Sequence, residues 1–535
     1  MSAVVTDQFR IANTTNFIES VLDDNNSYYV FLGLPNPTVA GFGRTDVSGD
    51  WPLAPIDNLS YQTHYRDSMM FGKKINSENI RRVVRKYPWI TNNRYDMYRD
   101  DYSVTNLAPN SKTTNLYQAN YYVINSNFQV YICLDNGSSG TSESSTARGN
   151  RSLIEPNFTD VEPITQSDGY TWKYLFTISP SDVIKFDSIE YIVLPNDWST
   201  TTDSQIKSIR ESGNSDINKN QIKKVYIENP GKTFGYTSTV GTNPHILDIL
   251  GDGTGAKVSV TVAATGIIES VKVISGGSGY TYGVVNLGPA QASTENSSNL
   301  GKLIPIIPPS KGHGFDIYKE LGADKVLIYA RFDDSTKDFP IDTSFGQVGI
   351  LKNPEKSTST DIYKANEFSS LPSFKVSESL SETTKNYTGV GITQTVDGGV
   401  ARGYIASYDT DTKIVKYFQD RSLSFAKTND TEGGGYDHLD TIDVSTRANV
   451  LQFGGNNSIE IKAPGNIHTR SIDSSLNGTT VNINNKIINL GVEYANGVSE
   501  SEINKKTGDV IYITNRSVVQ RDLRQKEDIK IVLEF

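Results

Sequence analysis

The chain has 535 residues, with 61 acidic against 51 basic side chains and a net charge of −10. That balance argues against a nucleic-acid binder held by its net charge, and a single cysteine, Cys133, excludes an internal disulfide framework. The N-terminus lacks a charged stretch followed by an apolar core, and no apolar run reaches the roughly 18 residues of a membrane span. The expectation is a soluble protein made inside a cell, with no membrane partner. With 29 Tyr, 20 Phe, 43 Gly and 4 Met, the composition favours many short strands and loops over long helices. The fold class expected is mainly β with a few short helices (α+β), in several domains.

A short helix is expected around Asn16–Leu22, then an apolar strand at Tyr28–Leu32 and a loop over 33–60. Asn76 can cap a helix over 77–86, with Ile75 and Ile80 as a hydrophobic staple and Ile80, Val83 and Val84 on one face. Pro88 ends it. Arg81, Arg82, Arg85 and Lys86 then form a basic outer side, either solvated or set against an acidic partner. Tyr121–Ile124 and Phe128–Ile132 flank Asn125-Ser126-Asn127 as a hairpin, and 136–150 reads as a Ser/Gly loop.

Residues 165–195 are the least ambiguous stretch. Asp168-Gly169 is a turn, because glycine accepts positive φ at no steric cost. The strand after it places Trp172, Tyr174, Phe176 and Ile178 on one apolar face and stops at Ser179-Pro180. A second strand, Ile189–Leu194, is closed by Pro195. Trp172, Tyr174, Phe176, Ile178, Tyr191 and Ile192 are the expected structural core, each buried aromatic contributing roughly 2–3 kcal/mol by area.

An internal repeat follows a polar link. Ile222 to Gly231, ahead of Phe234-Gly235-Tyr236-Thr237, matches Ile268 to Gly277, ahead of Ser278-Gly279-Tyr280-Thr281. Between them lies an alternating strand, Ala256–Val262. Units of this kind bury a shared face that neither buries alone, so 222–290 reads as a small all-β module. Residues 291–300 read as linker. Lys325–Arg331 is a strand, Asp316–Leu321 one helical turn capped by Gly322, and 353–385 is polar with weak order expected. Strands resume over 389–418 with a turn at Tyr408–Thr412. Residues 428–440 are loop, and the last strands are Asp509–Ile513 and Ile529–Phe535, the latter expected to be paired in a sheet.

Chemistry-bearing motifs fail on spacing. His64, His245, His313, His438 and His468 include no pair at metal-ligand spacing, so no metal or other cofactor is expected. Gly231-Lys232-Thr233 resembles the end of a phosphate loop, yet the loop's first glycine is Tyr226. Gly276–Tyr280 ends in tyrosine where a nucleophile elbow needs glycine. Asp409-Thr410-Asp411-Thr412 starts like a calcium loop but has Ile414 for the central glycine and Asp420 for the final Glu. Lys311-Gly312-His313-Gly314-Phe315-Asp316 is the most site-like cluster, and a tight structural loop explains it. A carboxylate pair for glycoside cleavage is a suggestion that any chain with so many acids allows.

DGYTWKYLFTI followed by EYIVLP resembles the baseplate wedge subunits of T-even-like contractile-tailed bacteriophages, the gene product eight family. TGDVIYITNRSVVQRDLRQKEDIKIVLEF is similar to that family's closing segment. PIIPPSKGHGFDIYKELGA and FPIDTSFGQVGILKNP are similar to segments of its longer members, and YYVFLGLPNP and WPLAP suit its first domain. The resemblance implies a dimeric, mainly β architectural subunit with β-sandwich-like domains, whose N- and C-terminal segments share one domain. It implies no enzymatic activity. Its partners would be other baseplate wedge proteins in the virion tail, with contacts that change on contraction. The domains then expected are an N-terminal wedge region at 1–220, the inserted β repeat module at 221–300, a middle β-rich region at 301–440, and C-terminal strands at 441–535 returning to the first domain. The competing class is a tail fibre or spike that binds or cleaves host-surface glycans.

Overall fold

A computed structural model describes residues 4–34, 37–38, 41–42, 59–139, 145–212, 221–292, 299–333, 344–380, 387, 390–396, 399–419, 451, 453, 458–463, 466–520 and 525–535. The expected loop at 428–440 and most of that at 33–60 lie outside these residues. The chain is mostly β, with 43% in strands and 12% helical, and its sheets are built largely from antiparallel ladders. This is the β-rich, multi-domain class that composition points to. Two compact units divide the chain, one made of 1–16, 81–327 and 531–535, the other of 17–80 and 328–530.

The first unit contains a four-stranded sheet in the order Tyr122–Ile124, Gln129–Asp135, Thr171–Thr177, Ile164–Thr165. Its first two strands are the expected hairpin, with Tyr122 opposite Ile132. The Asp168-Gly169 turn feeds its third strand: Gly169 has φ +90°, and Asp168 Oδ1 accepts the Tyr170 N–H at 3.1 Å. The repeat forms a second body. Strands Ile268–Ser278, Thr254–Val262, His245–Gly251 and Gly283–Val285 lie side by side, and Val225–Asn229 pairs with Lys302–Pro305. The pair runs beside the two outer strands of the four, so six strands enclose one core. The repeat's two tyrosines, Tyr236 and Tyr280, both plug that core. The core also takes in Leu303 and Ile307, beyond the repeat itself.

The second unit holds a five-stranded sheet in the order Glu367–Ser369, Met69–Lys74, Tyr28–Gly33, Ser344–Lys352, Asp509–Gln520. Tyr28–Gly33 is buried throughout, as expected of a continuous apolar run. A seven-stranded sheet runs from Asn466–Ser471 to Val498–Ser499 over its own core of Phe374, Ile392, Ile405 and Val415.

The helix expected over 77–86 is a strand. Asn76 does accept a backbone N–H, from Glu78 at 3.1 Å, but it closes a turn rather than capping a helix, and Ile80–Arg85 runs on as a strand paired with Tyr191–Leu194. β-Branched Ile80, Val83 and Val84 suit the pleat better than the helix. The basic side is largely not solvated either. Arg81 pairs with Asp182 at 2.9 Å, and the Arg82 guanidinium stacks 4.1 Å from the Tyr318 ring centroid. The helix expected around Asn16–Leu22 is longer, spanning Asp7–Leu22.

Candidate functional site

The six core residues named from sequence lie in the first unit, five of them on two strands of different sheets and Ile178 just past the end of the first strand. Trp172, Tyr174, Phe176, Ile178 and Ile192 are buried and Tyr191 is half-buried. Trp172 stacks on Tyr170 with centroids 5.3 Å apart and meets Tyr95 edge-on at 5.8 Å. Tyr174 meets Tyr131 at 5.7 Å, and Phe176 meets Trp198 at 6.1 Å. Three of these contacts, to Tyr170, Tyr95 and Trp198, join the sheet to the loops around it, and the fourth, Tyr174–Tyr131, links two of its own strands.

The expected single apolar face is corrected in one respect: Thr171–Thr177 is buried on both faces. Lys173 and Leu175 are as inaccessible as Trp172. The ladder also shifts register between Val130 and Tyr131, where Tyr131 faces Tyr174 and Val130 faces Phe176. A bulge of this kind breaks the two-residue alternation. It sends Phe176 toward Trp198, the indole that also donates to Gly314 O at 3.0 Å.

Lys173 opens a buried polar centre that sequence reading missed. Its ammonium donates to Val161 O at 2.9 Å and to Ser212 Oγ at 3.1 Å. Burial, reinforced by Lys223, pulls its pKa down to about 8, while Glu162 and Glu320 act the other way. A Cβ added at Gly314 would lie 3.5 Å from Lys173 Cε. Gly314 belongs to the Lys311–Asp316 cluster, whose middle residues, Gly312, His313 and Gly314, form a buried clasp. His313 Nδ1 lies 2.5 Å from Glu320 Oε1, the Gly314 N–H donates to Glu320 Oε2 at 2.7 Å, and the Tyr98 ring stands edge-on to the imidazole at 4.8 Å. Tyr121 Oη donates to Glu320 O at 2.5 Å. Asp316 caps the turn Ile317–Glu320, which orients Glu320 inward. Both carboxylate oxygens are thus held by neighbouring groups, which suits a fastening better than a proton-transfer centre. A lysine flanked by aromatics and a glutamate on a four-residue turn look solvated in sequence; only the packing of distant segments buries them.

The repeat body meets the aromatic sheet along a charged seam. Lys224 pairs with Asp135, and Lys223 with Glu162 at 2.8 Å. The Arg99 guanidinium lies 4.2 Å from the Tyr226 centroid while bonding Asp101 through two nitrogens at 2.8 and 2.6 Å. Burial raises the Asp100 carboxyl, and Asp100 Oδ1 accepts the Ile307 N–H at 3.2 Å. A cleft of about 440 Å³ runs along the seam, lined by Asp135, Glu162, Lys223 and Lys272 among others.

Among the described residues no three His, Cys, Asp or Glu side chains gather as a metal site, and no helix is long and apolar enough to cross a membrane. Cys133 is fully buried, which pushes its thiol well up and keeps it unreactive. Asp409 Oδ1 accepts the Asp411 N–H at 3.0 Å in a turn between two strands. His245 contacts Thr237 O at 2.9 Å, His468 lies on the strand Asn466–Ser471, and His438 and the side chain of His64 lie outside the described residues. What stands out at the surface is apolar: Ile184 is 80%, Ile189 95% and Phe234 68% exposed.

No protein-family model matches the chain. Over 214 residues it is 25% identical to the baseplate wedge protein gp8 of Enterobacteria phage T4, a match that takes in 36% of this chain. The chain spans 60% of the length of that relative, and the similarity is that of a distant relationship.

Proposed function

We propose that the chain is a structural component of a phage tail baseplate wedge. On this reading it holds neighbouring wedge subunits together as a homodimer, resides in the virion tail and changes its contacts when the tail contracts. It catalyses nothing and needs no cofactor. The observation that carries the reading is the distant relationship to the T4 wedge protein. The geometry agrees with it: polar centres that fasten loops to sheets, and apolar side chains left at the surface for contact. The domain scheme read from sequence belongs to the same proposal, with 1–220 as the wedge region, 221–300 as an added module, 301–440 as a middle region and 441–535 returning to the first domain.

The test is assembly. Purified protein should run as a dimer by light scattering and should co-purify with co-expressed wedge proteins of the same phage, and antibodies should label the baseplate of intact particles. A strict monomer that ignores every wedge protein, in particles that lack it, sinks the proposal.

A further inference from the structure

The seven-stranded sheet buries polar groups on the face turned away from its own core. Strands Gly399–Asp409 and Ile414–Phe418 pair with Ser407 opposite Lys416, Tyr408 opposite Val415 and Asp409 opposite Ile414. Side chains alternate between faces along a strand. Tyr408 and Val415 enter the sheet's core, so Ser407, Asp409, Ile414 and Lys416 share the other face. That face is sealed rather than solvated. Ile414 packs there with Leu490, Val492 and Tyr494 of strand Lys486–Tyr494, which belongs to a separate two-stranded sheet.

Between these layers lies a polar cavity lined by Ser407, Asp409, Thr412, Lys416, Leu490 and Tyr494 together with Ile414. None of the seven is more than 6% exposed. The centre of a water-sized sphere can move through about 10 Å³ of it, which is room for one such group. Two oxygens at this cavity stand out. Ser407 Oγ and Thr412 Oγ1 are buried, and no protein group among the described residues hydrogen-bonds either of them. Buried hydroxyls are otherwise nearly always paired. Their neighbours hold on elsewhere. Asp409 Oδ1 accepts the Asp411 N–H at 3.0 Å, Lys416 Nζ lies 3.5 Å from Ser369 Oγ and 4.6 Å from the Phe71 ring centroid, and Tyr494 Oη meets Ser373 Oγ at 2.6 Å.

We infer that this cavity is a binding site for a single water molecule, held by the Ser407 and Thr412 hydroxyls. The chemistry of the lining selects the ligand. Each hydroxyl both donates and accepts, so a partner that does both satisfies the pair. A cation would meet Lys416 and an anion would meet Asp409, and low dielectric magnifies either repulsion. An apolar occupant leaves both hydroxyls unpaired. Water is neutral, fits the volume and makes two to four bonds. It ties strand Gly399–Asp409 to the turn that follows, and it lets a polar face be closed beneath the two-stranded sheet.

The experiment uses the full chain. Crystals should show density at hydrogen-bonding distance from both hydroxyls, with no anomalous signal there after growth in rubidium chloride or in sodium bromide. A rubidium or bromide peak makes it an ion site, and hydroxyls turned onto protein groups with no density between them make it dry; either result overturns the inference. Stability gives a second reading, in which the two cases differ in sign. Ser407→Ala and Thr412→Val each strip the water of a partner and should lower the thermal midpoint. The double variant should lose less than the sum, because one water serves both hydroxyls. In a dry cavity each substitution removes an unpaired hydroxyl, and the midpoint should rise. A rise, or strictly additive losses, overturns the inference. Thr412→Ser keeps the hydroxyl and should stay close to wild type. A loss there as large as in Thr412→Val also overturns it, since the hydroxyl is then not what the site uses.

Discussion

Phe31 and Gly349 stand directly opposite each other on neighbouring strands of the five-stranded sheet, and a Cβ added at Gly349 would lie 2.3 Å from Phe31 Cζ. Phe31 also faces Gly72 on its other side, and Gly72 in turn faces Phe368. Rings and glycines thus alternate across the strands, each ring lying over a neighbour with no side chain. Gly349→Ala should destabilise the second unit by about 1–3 kcal/mol through overpacking. Adding Phe31→Leu should recover part of that loss, since contacting positions are not additive. Calorimetry on the single and double variants reads both effects, and strictly additive losses would count against the slot.

Glu320 fastens His313 and the Gly314 N–H at once. Glu320→Ala should cost about 3 kcal/mol or more, the range for removing one partner of a buried pair. Glu320→Gln keeps hydrogen-bonding capacity at both positions and should cost less. Denaturant midpoints followed by tryptophan fluorescence are a suitable readout, because Trp198 bonds Gly314. Equal losses in the two variants would mean that the carboxylate itself, not the shape or hydrogen-bonding capacity that glutamine keeps, is what Glu320 supplies.

Lys173 loses its proton at about pH 8 in the folded chain, against 10.5 for the free side chain. Between those values unfolding takes up a proton, so this group's contribution to stability rises with pH. Its penalty is full below about pH 8 and fades above it, by at most about 3 kcal/mol at 1.36 kcal/mol per unit. Buried Tyr98, Tyr121 and Tyr122, all raised by burial, act oppositely once unfolded tyrosines ionise near pH 10. The rise should therefore be read between about pH 8 and 9.5. Lys173→Met should flatten the pH dependence of the thermal midpoint in that window, and an unchanged slope would assign the titration elsewhere.

Lys224→Glu would set a second carboxylate against Asp135 on the charged seam, where both partners are about one-fifth exposed. The expected loss is about 1–2 kcal/mol, tempered by that exposure. Asp135→Lys in the same chain should restore most of it. Deleting 222–290 is a harsher test: it would uncover Leu303 and Ile307, which share the module's core, and should lower the stability of the whole first unit. A deletion that leaves the midpoint untouched would make the module a detachable insert.

Much of the fold is legible in local pattern, because a run such as Tyr28–Gly33 or Lys325–Phe332 carries its burial in its own apolar residues. The failures arise where local signals are shared by two structures. Asn76, Ile75 and Ile80 make an equally good helix start or turn-to-strand entry, and the groups that settle it, Asp182 and Tyr318, come from far along the chain. The candidate site was visible only as a cluster around His313. Glu320 is only seven residues from His313, but Lys173 and Trp198 join through segments that no spacing rule connects. A one-residue bulge likewise has no signature in the alternation of Trp172, Tyr174 and Phe176.

The division of the chain into units has a consequence for synthesis. The first unit takes 1–16, 81–327 and 531–535, and its late segment is engaged: Phe535 N–H donates to Asp324 O at 3.1 Å, and Glu534 pairs with Lys325 at 3.2 Å. All of the second unit's residues from 328 to 530 must therefore be translated before the first can close its last contacts. On the ribosome the order of emergence and the order of completion are crossed, and such non-local closure is slow. Ribosome-stalled chains ending just before residue 531 should hold a first unit that proteases open more readily than in the released chain.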